Sequence, residues 1–392
     1  VGVLDYDLDG WPDVFLVQGC NWPAGGAQDD YSDCLLRNQT GTLGSKPKFA
    51  HVTLLAGIQE SAFGQGVAIG DIDSDGFPDI YVCNFGENQL WLNQGDGTFI
   101  DGAKHLADRS TSWTVSAAIA DLNGDATTEI YDANYVRGPD VTTRRCLMGG
   151  QPRACSPRNF LPAEGRLLAA DDHGLFHDVS HQVLADSVKG GNALGVAVVR
   201  LGSERLPSIF VANDQVANLL LTSQPDPQSP LGLRFEDQAL LRGLAYDIEG
   251  KAQACMGVAT GDINRDGAID LLVTNYQDES NTLYVQQSAG AFRDASLAAG
   301  LVAPSLAPLG FGTQCFDAQL DGHLDFVVLN GHIDDMSHMG IPFRMRPQYF
   351  SGNSAARFVE GTAEDTGPFF ASMRVGRAAA LIDADCDGRQ DV

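Results

Sequence analysis

One nine-residue acidic segment recurs six times along this chain, and it limits the fold more tightly than any other feature. The copies are DYDLDGWPD from Asp5, DIDSDGFPD from Asp71, DLNGDATTE from Asp121, DINRDGAID from Asp262, DAQLDGHLD from Asp317 and DADCDGRQD from Asp383. Each follows a run of small and apolar residues such as GVAIG, SAAIA or GVATG. Five lead into β-rich runs: VFLVQG, IYVCNF, IYDANY, LLVTNY and FVVLNG. A strand carrying Asn, Leu or Tyr comes next (QLWLNQGDG, NTLYVQQSAG), then a Phe-led strand (TFIDGAKHLA, AFRDASLAAGL). Four short strands joined by turns make one propeller blade, and repetition at this period marks a radially repeated architecture.

The first aspartates are spaced by 66, 50, 141, 55 and 66 residues. The 141-residue gap contains one more unit, GVAVVRLGSERLPSIFVANDQVANLLL, whose loop has lost its acids. It offers Arg200, Gly202, Glu204 and Ser208, a set that cannot hold a divalent cation. Seven loops predict an all-β fold, a seven-bladed β-propeller of four-stranded blades forming one domain over residues 1–392. The chain stops at Asp391-Val392, just inside the last blade, so blade seven is expected to be truncated.

Calcium takes six to eight hard oxygen ligands in adaptable geometry, and a tight acidic turn supplies them. Positions 1, 3, 5 and 9 of each loop carry oxygen side chains, and position 7 offers a carbonyl. The expected ligand sets are Asp5, Asp7, Asp9, Trp11 and Asp13; Asp71, Asp73, Asp75, Phe77 and Asp79; and Asp121, Asn123, Asp125, Thr127 and Glu129. The later loops give Asp262, Asn264, Asp266, Ala268 and Asp270; Asp317, Gln319, Asp321, His323 and Asp325; and Asp383, Asp385, Asp387, Arg389 and Asp391. An EF-hand begins alike but closes with Glu at position 12 between helices, so this is a different loop. Crowded carboxylates repel one another. Six Ca²⁺ would add +12 to the formal charge of −26, bringing it to −14. Calcium is thus expected as a folding cofactor. Loops of this extracellular type fill at about 0.1–1 mM calcium.

The same acidity argues against nucleic acid, which needs a basic footprint. No apolar run reaches the roughly 18 residues that span a bilayer. Eight cysteines without a CxxC make structural zinc improbable. Cys20 and Cys34 bracket one Gly/Asp-rich loop and Cys146 and Cys155 another, and both pairs are expected as disulfides of an oxidising compartment. Cys83, Cys255, Cys315 and Cys386 lie on or beside expected strands, either as buried thiols or paired. The expected location is extracellular, periplasmic or at the cell surface.

These residues resemble the FG-GAP/VCBS-type calcium propellers, and more closely the ASPIC/UnbV (cartilage acidic protein-like) group. Phe63-Gly64 and Phe311-Gly312 match the Phe-Gly opening of the repeat. WTVSAAIADLNGD, the Cys-bounded insert ending RNFLPAEGRLL, FVANDQVANLLL, LAYDIEGKAQACMGVATGDINRDG and FVVLNGHI look like the same regions of that group. The resemblance implies secretion and a binding or adhesion role. It also implies a C-terminal ASPIC/UnbV-like domain, which is absent from this sequence.

In a blade the acidic turns share one face and the second-to-third strand connections share the other. Three of those connections are long, at residues 19–34, 135–164 and 331–347. They bring Trp22, Tyr31, Tyr135, Phe160, Phe343 and Tyr349 to a surface where function usually resides. The blade-three insert carries Arg137, Arg144, Arg145, Arg153 and Arg158 against only Asp140 and Glu164. Arginine matches carboxylate and sulfate bidentately, so a protein or an anionic polysaccharide is the expected partner. Pairing of these arginines with neighbouring acidic blades is the competing reading. The favoured function is a non-catalytic binding module, with Trp22 and Phe343 as secondary contacts. A polysaccharide lyase or hydrolase is the alternative, with Tyr135 beside Arg137 or His332 beside Arg344 as its candidate base and cation. No G-x-S-x-G nucleophile motif occurs. His332, Met336, His338 and Met339 read as ordinary loop residues rather than soft-metal ligands.

Overall fold

In each of six blades the first strand pairs antiparallel with the second across the intervening loop, and two further strands extend the sheet outward. The computed structural model describes residues 1–20, 32–59, 62–202 and 204–392. Blade one is Gly2–Leu4, Asp13–Leu16, Cys34–Asn38 and Phe49–His51; blade two is Phe63–Gly70, Asp79–Phe85, Gln89–Asn93 and Phe99–Asp101. Blade three is Thr114–Ala120, Glu129–Asn134, Arg166–Ala170 and Phe176–Asp178; blade four is Ala193–Val199, Ser208–Asn213, Leu219–Pro225 and Leu233–Asp237. Blade five is Val258–Gly261, Asp270–Val273, Thr282–Gln286 and Phe292–Asp294; blade six is Gly310–Phe316, Asp325–Asn330, Gln348–Ser351 and Val359–Glu360.

The residue choice follows from the radial packing. First strands crowd the axis, so they are small. A Cβ on Gly66 would lie 2.2 Å from the Val115 carbonyl oxygen, and one on Gly257 would lie 2.1 Å from that of Phe311. Second strands are covered on both faces by adjacent blades, so Asp79–Phe85, Glu129–Asn134 and Ser208–Asn213 are buried almost throughout. Five apolar layers fill the junctions between successive blades. Phe15, Ile80, Val82 and Trp91 join blades one and two, and Phe326, Phe350 and Leu283 join five and six.

Among the described residues there are six four-stranded blades, not the seven expected. Residues 374–392 occupy the remaining position between blades six and one. The Gly312 N–H donates to the Arg377 carbonyl (2.8 Å), and Asn38 Nδ2 donates to the Ala384 carbonyl (2.8 Å). Within this segment the only ladder contact is the bridge Ile382↔Asp391. A strand needs a hydrogen-bonded neighbour along its length, and here one rung is present. A cavity of about 620 Å³ lies beside it, lined by Val3, Val14 and Leu16 of blade one and by Ala378 and Ala380.

Cys146 and Cys155 form the expected disulfide. The expected Cys20–Cys34 bridge does not form. Cys34 is a free thiol that opens a strand, in register with Leu16 and close to the Thr53 hydroxyl. Cys83, Cys255, Cys315 and Cys386 are also free thiols, and burial pushes Cys255 and Cys315 up to about 12. No helix among the described residues is long and apolar enough to cross a membrane.

Candidate metal centres and the insert-bearing face

All six acidic loops adopt one backbone. Position 4 is left-handed in each (Leu8, Ser74, Gly124, Arg265, Leu320, Cys386), and so is position 6 (Gly10, Gly76, Ala126, Gly267, Gly322, Gly388). The position-1 aspartate organises the turn. Asp5 accepts from the N–H groups of Asp9 and Gly10 (3.0 and 2.9 Å), and Asp71 accepts from those of Asp75 and Gly76 (3.0 and 3.1 Å). Asp262, Asp317 and Asp383 repeat the arrangement. The position-5 aspartates each accept the position-7 N–H, as Asp9 does from Trp11 and Asp75 from Phe77.

Loop three reaches the same shape with Ala126 where the others have glycine. An L-residue in the left-handed region costs about 1–2 kcal/mol, partly offset by the flexibility glycine adds to the unfolded chain. Ala126→Gly is therefore expected to stabilise the protein by about 0.5–1 kcal/mol, read as a higher urea midpoint at saturating calcium. An unchanged or lower midpoint would show that the alanine is unstrained.

In the first five acidic loops the closing acid is buried, and in four of them it clasps two strands, whereas Asp391 is exposed and accepts only from the Ala384 N–H (3.2 Å). Asp13 accepts from the N–H groups of Tyr6 (3.2 Å) and Asn38 (2.7 Å), and Asp79 from those of Ile72 (2.8 Å) and Asn93 (2.9 Å). Asp270 and Asp325 do the same, while Glu129 clasps Leu122 alone. Burial pushes Asp13, Asp79 and Glu129 up to about 7 and Asp270 up to about 6, and neighbouring loop carboxylates add to the rise. A bound cation would oppose this rise.

The donor set fits a hard cation in three loops by carboxylates alone. Oxygens of Asp5, Asp7 and Asp13, of Asp71, Asp73 and Asp79, and of Asp383, Asp385 and Asp387 each lie within 4.8 Å of one another. In the acidic loops of blades three and five an amide replaces the position-3 acid, and Asn123 and Asn264 donate to Asp125 and Asp266 (2.8 and 2.9 Å). In the loop of blade six Gln319 reaches Ser351 (3.0 Å). Blade four diverges as its sequence implies: Glu204 pairs with Arg242 (2.6 Å), and Ser208 is buried in a strand.

On the opposite face the blade-three insert folds into two small hairpins, Val136–Arg137 with Leu161–Pro162 and Cys146–Met148 with Gln151–Arg153. Its contacts to neighbouring blades include the Ala163 N–H donating to the Gly191 carbonyl (3.1 Å) and two made by its tip. Ser156 Oγ donates to Gln215 Oε1 of the blade-four connection (3.2 Å), and the Ala154 N–H donates to the Asp334 carboxylate of the blade-six connection (3.0 Å). Of the five insert arginines, only Arg144 has an acidic partner among the described residues: Asp140, at 2.7 Å. Arg144 also donates to the Asn159 carbonyl and stacks over Phe160. Arg137 and Arg153 donate to the carbonyls of Pro162 and Ala154. Arg145 and Arg158 are exposed and form no ion pair among the described residues, although the charge of Arg158 reaches the buried Asp214 carboxyl. Trp22 and Tyr31 lie outside the described residues, and Phe343 is half-buried, its carbonyl accepting from the His332 N–H.

The FG-GAP-like repeat family matches residues 5–82, 71–131 and 262–328, the stretches that carry five of the six acidic loops. This is a propeller of FG-GAP-like repeats. It is homologous to human cartilage acidic protein 1, at 32% identity over 319 residues, 75% of this chain and 42% of the human protein. The mouse protein of the same name is 33% identical over 122 residues, 30% of this chain and 19% of the mouse protein. The chain thus spans less than half the length of the curated relatives it matches. Among solved structures, an Agrocybe aegerita lectin recognising non-reducing terminal N-acetylglucosamine is 12% identical, TM-score 0.42, over 88% of this chain and 78% of the lectin. The Pseudomonas aeruginosa periplasmic gluconolactonase is 14% identical, TM-score 0.48, over 89% and 83%. At these scores neither likeness bears on ligand or reaction.

Sequence reasoning missed the contacts around the two catalytic pairs it considered. In this FG-GAP propeller the Tyr135 hydroxyl donates to Asp214 (2.6 Å) rather than meeting Arg137. His332 meets Tyr276 (3.1 Å between Oη and Nε2) and the Asp334 carbonyl, not the Arg344 side chain. His332 is 1% exposed and Met336 is buried, so neither is presented to a ligand. The signal was present in the sequence. Phe85, Tyr135, Asp214 and Tyr276 each follow an asparagine (Asn84, Asn134, Asn213 and Asn275) at or within two residues of the end of a second strand.

Proposed function

We propose that this FG-GAP propeller is a calcium-stabilised, non-catalytic binding module of the extracellular space. The six acidic loops are its structural calcium sites, ligated by positions 1, 3, 5 and 9 and the position-7 carbonyl. The insert-bearing face is its recognition surface, for an anionic polysaccharide or an acidic protein patch. The observation that carries this reading is the state of Arg145 and Arg158. In a chain of formal charge −26 with 51 acidic residues, these two exposed guanidinium groups form no ion pair among the described residues. Bound calcium stabilises the scaffold that holds them, and the oxidised Cys146–Cys155 hairpin suits an oxidising compartment.

The enzyme alternative is the weaker one, because His332, its best base, is sealed from solvent. Heparin and a uronate oligosaccharide panel are the probes. Retention on immobilised heparin that falls steeply with salt is the expected result. Arg145→Glu with Arg158→Glu should weaken it at least tenfold, while the melting temperature stays unchanged. Absence of retention by the unaltered protein, or formation of unsaturated product from the oligosaccharides, would overturn the reading. Arg144 is left intact because its contacts with Asp140, Asn159 and Phe160 hold the insert together.

A further inference from the structure

The sheet register places one third-strand residue opposite each of five closing acids, Asp13, Asp79, Glu129, Asp270 and Asp325. From Val14↔Leu36, Ile80↔Trp91, Ile130↔Leu168, Leu271↔Tyr284 and Phe326↔Phe350, these residues are Arg37, Leu92, Ala169, Val285 and Ser351. The position looks onto the loop. In blade six Ser351 exchanges hydrogen bonds with Gln319, the position-3 residue. Blades two, three and five place an apolar side chain there, which leaves the loop's oxygens to themselves. Blade one alone places a cation there. Arg37 Nη2 lies 2.6 Å from Asp7 Oδ2 and 3.1 Å from Asp9 Oδ2, the carboxylates at positions 3 and 5.

We propose that Arg37 is a built-in competitor for the cation of loop one, making this the last acidic loop to fill and a conditional tie between loop and third strand. This rests on the reading of the loops as calcium sites. A guanidinium cannot lose its proton in water and forms charge-assisted bonds to carboxylates. It therefore neutralises part of the loop permanently and occupies oxygens at two of the four acidic positions. The rest of the site is intact: Asp5, Asp7 and Asp13 still converge, and Asp7 Oδ1 is buried with no hydrogen-bond partner. An entering ion must displace the guanidinium, whose side chain is 38% exposed and can swing into solvent. Loop two has the same four carboxylates with Leu92 in place of the arginine, so it is the internal reference.

Trp11 at position 7 of loop one gives this site its own reporter, because terbium bound there is excited through the adjacent indole. In a terbium titration of the full chain, the Trp11-sensitised emission is expected to rise after most of the bound terbium has been taken up. Arg37→Leu is expected to move that midpoint to roughly 3- to 10-fold lower terbium, and Arg37→Gln, which keeps length without charge, should do likewise. Arg37→Lys should leave filling late. Trp11→Phe identifies the signal by removing it. A midpoint unmoved by both neutral variants, with total uptake near six ions, would overturn the role of Arg37 alone. Uptake of no ions at all would overturn the calcium reading beneath it. The melting temperature of each variant in chelator separates either outcome from misfolding.

Discussion

Excess EDTA is expected to lower the melting temperature by about 10 °C relative to the same protein in 1 mM calcium. A ligand bound only by the native state adds RT ln(1+[L]/Kd) per site. For sites with Kd near 0.1 mM, that is about 1.4 kcal/mol each and about 8 kcal/mol over six loops. A chain of this length has an unfolding entropy near 0.8 kcal/mol per kelvin, so about 8 kcal/mol becomes about 10 °C. Differential scanning fluorimetry with and without chelator measures it directly. Metal analysis of the calcium-loaded protein should then give about six ions, with none at the Arg200–Ser208 loop. A melt indifferent to chelator would remove calcium from the folding account. A stoichiometry near two would leave only some of the loops as sites.

The fold and its acidic loops were legible because both are local and repeated. A nine-residue turn organises itself through the position-1 and position-5 carboxylates, and the flanking strands follow from residue size alone: small at the axis, apolar where two blades cover them. Six loops could be aligned by eye, and all six share the left-handed positions 4 and 6. What the sequence left hidden is long-range. Arg37 lies 28 residues from Asp9 along the chain, and only the strand register shows that it enters the loop. The Ala154–Asp334 contact closes 180 residues, and no pattern in the insert announces it. Six blades form rather than seven, and at the expected truncated blade seven, around Asp383, a single rung forms. Cys20–Cys34 was misjudged because spacing in sequence says nothing of where a strand turns a thiol.

The two faces separate two kinds of chemistry. The insert arginines and the loops sit at opposite ends of the second strands, and exposed charges more than a Debye length apart, about 8 Å in physiological salt, barely interact. Charge reversal on the insert should therefore leave calcium uptake unchanged, and loop substitutions should affect partner binding only through stability.

Acidification should stabilise the chelated protein and destabilise the calcium-loaded one. Asp13, Asp79 and Glu129 are raised to about 7 and Asp270 to about 6, with burial as the first cause in each. Their unfolded values lie near 4. Between those limits the folded chain without metal binds more protons than the unfolded chain, so its stability falls as pH rises from about 4 to 7. Above that window all four are ionised against their surroundings and the full penalty applies. In EDTA the melting temperature is expected to climb as pH drops from 8 to 6. With calcium the same carboxylates are held ionised by the ion, protons compete with it, and the trend reverses. Asp178, held low by Arg166, and Asp171, held low by nearby N–H groups, keep their charges throughout this range and do not obscure the sign. Melting curves at pH 6, 7 and 8, each with chelator and with 1 mM calcium, decide the matter. Parallel slopes in the two series would show that the closing acids do not face the ion.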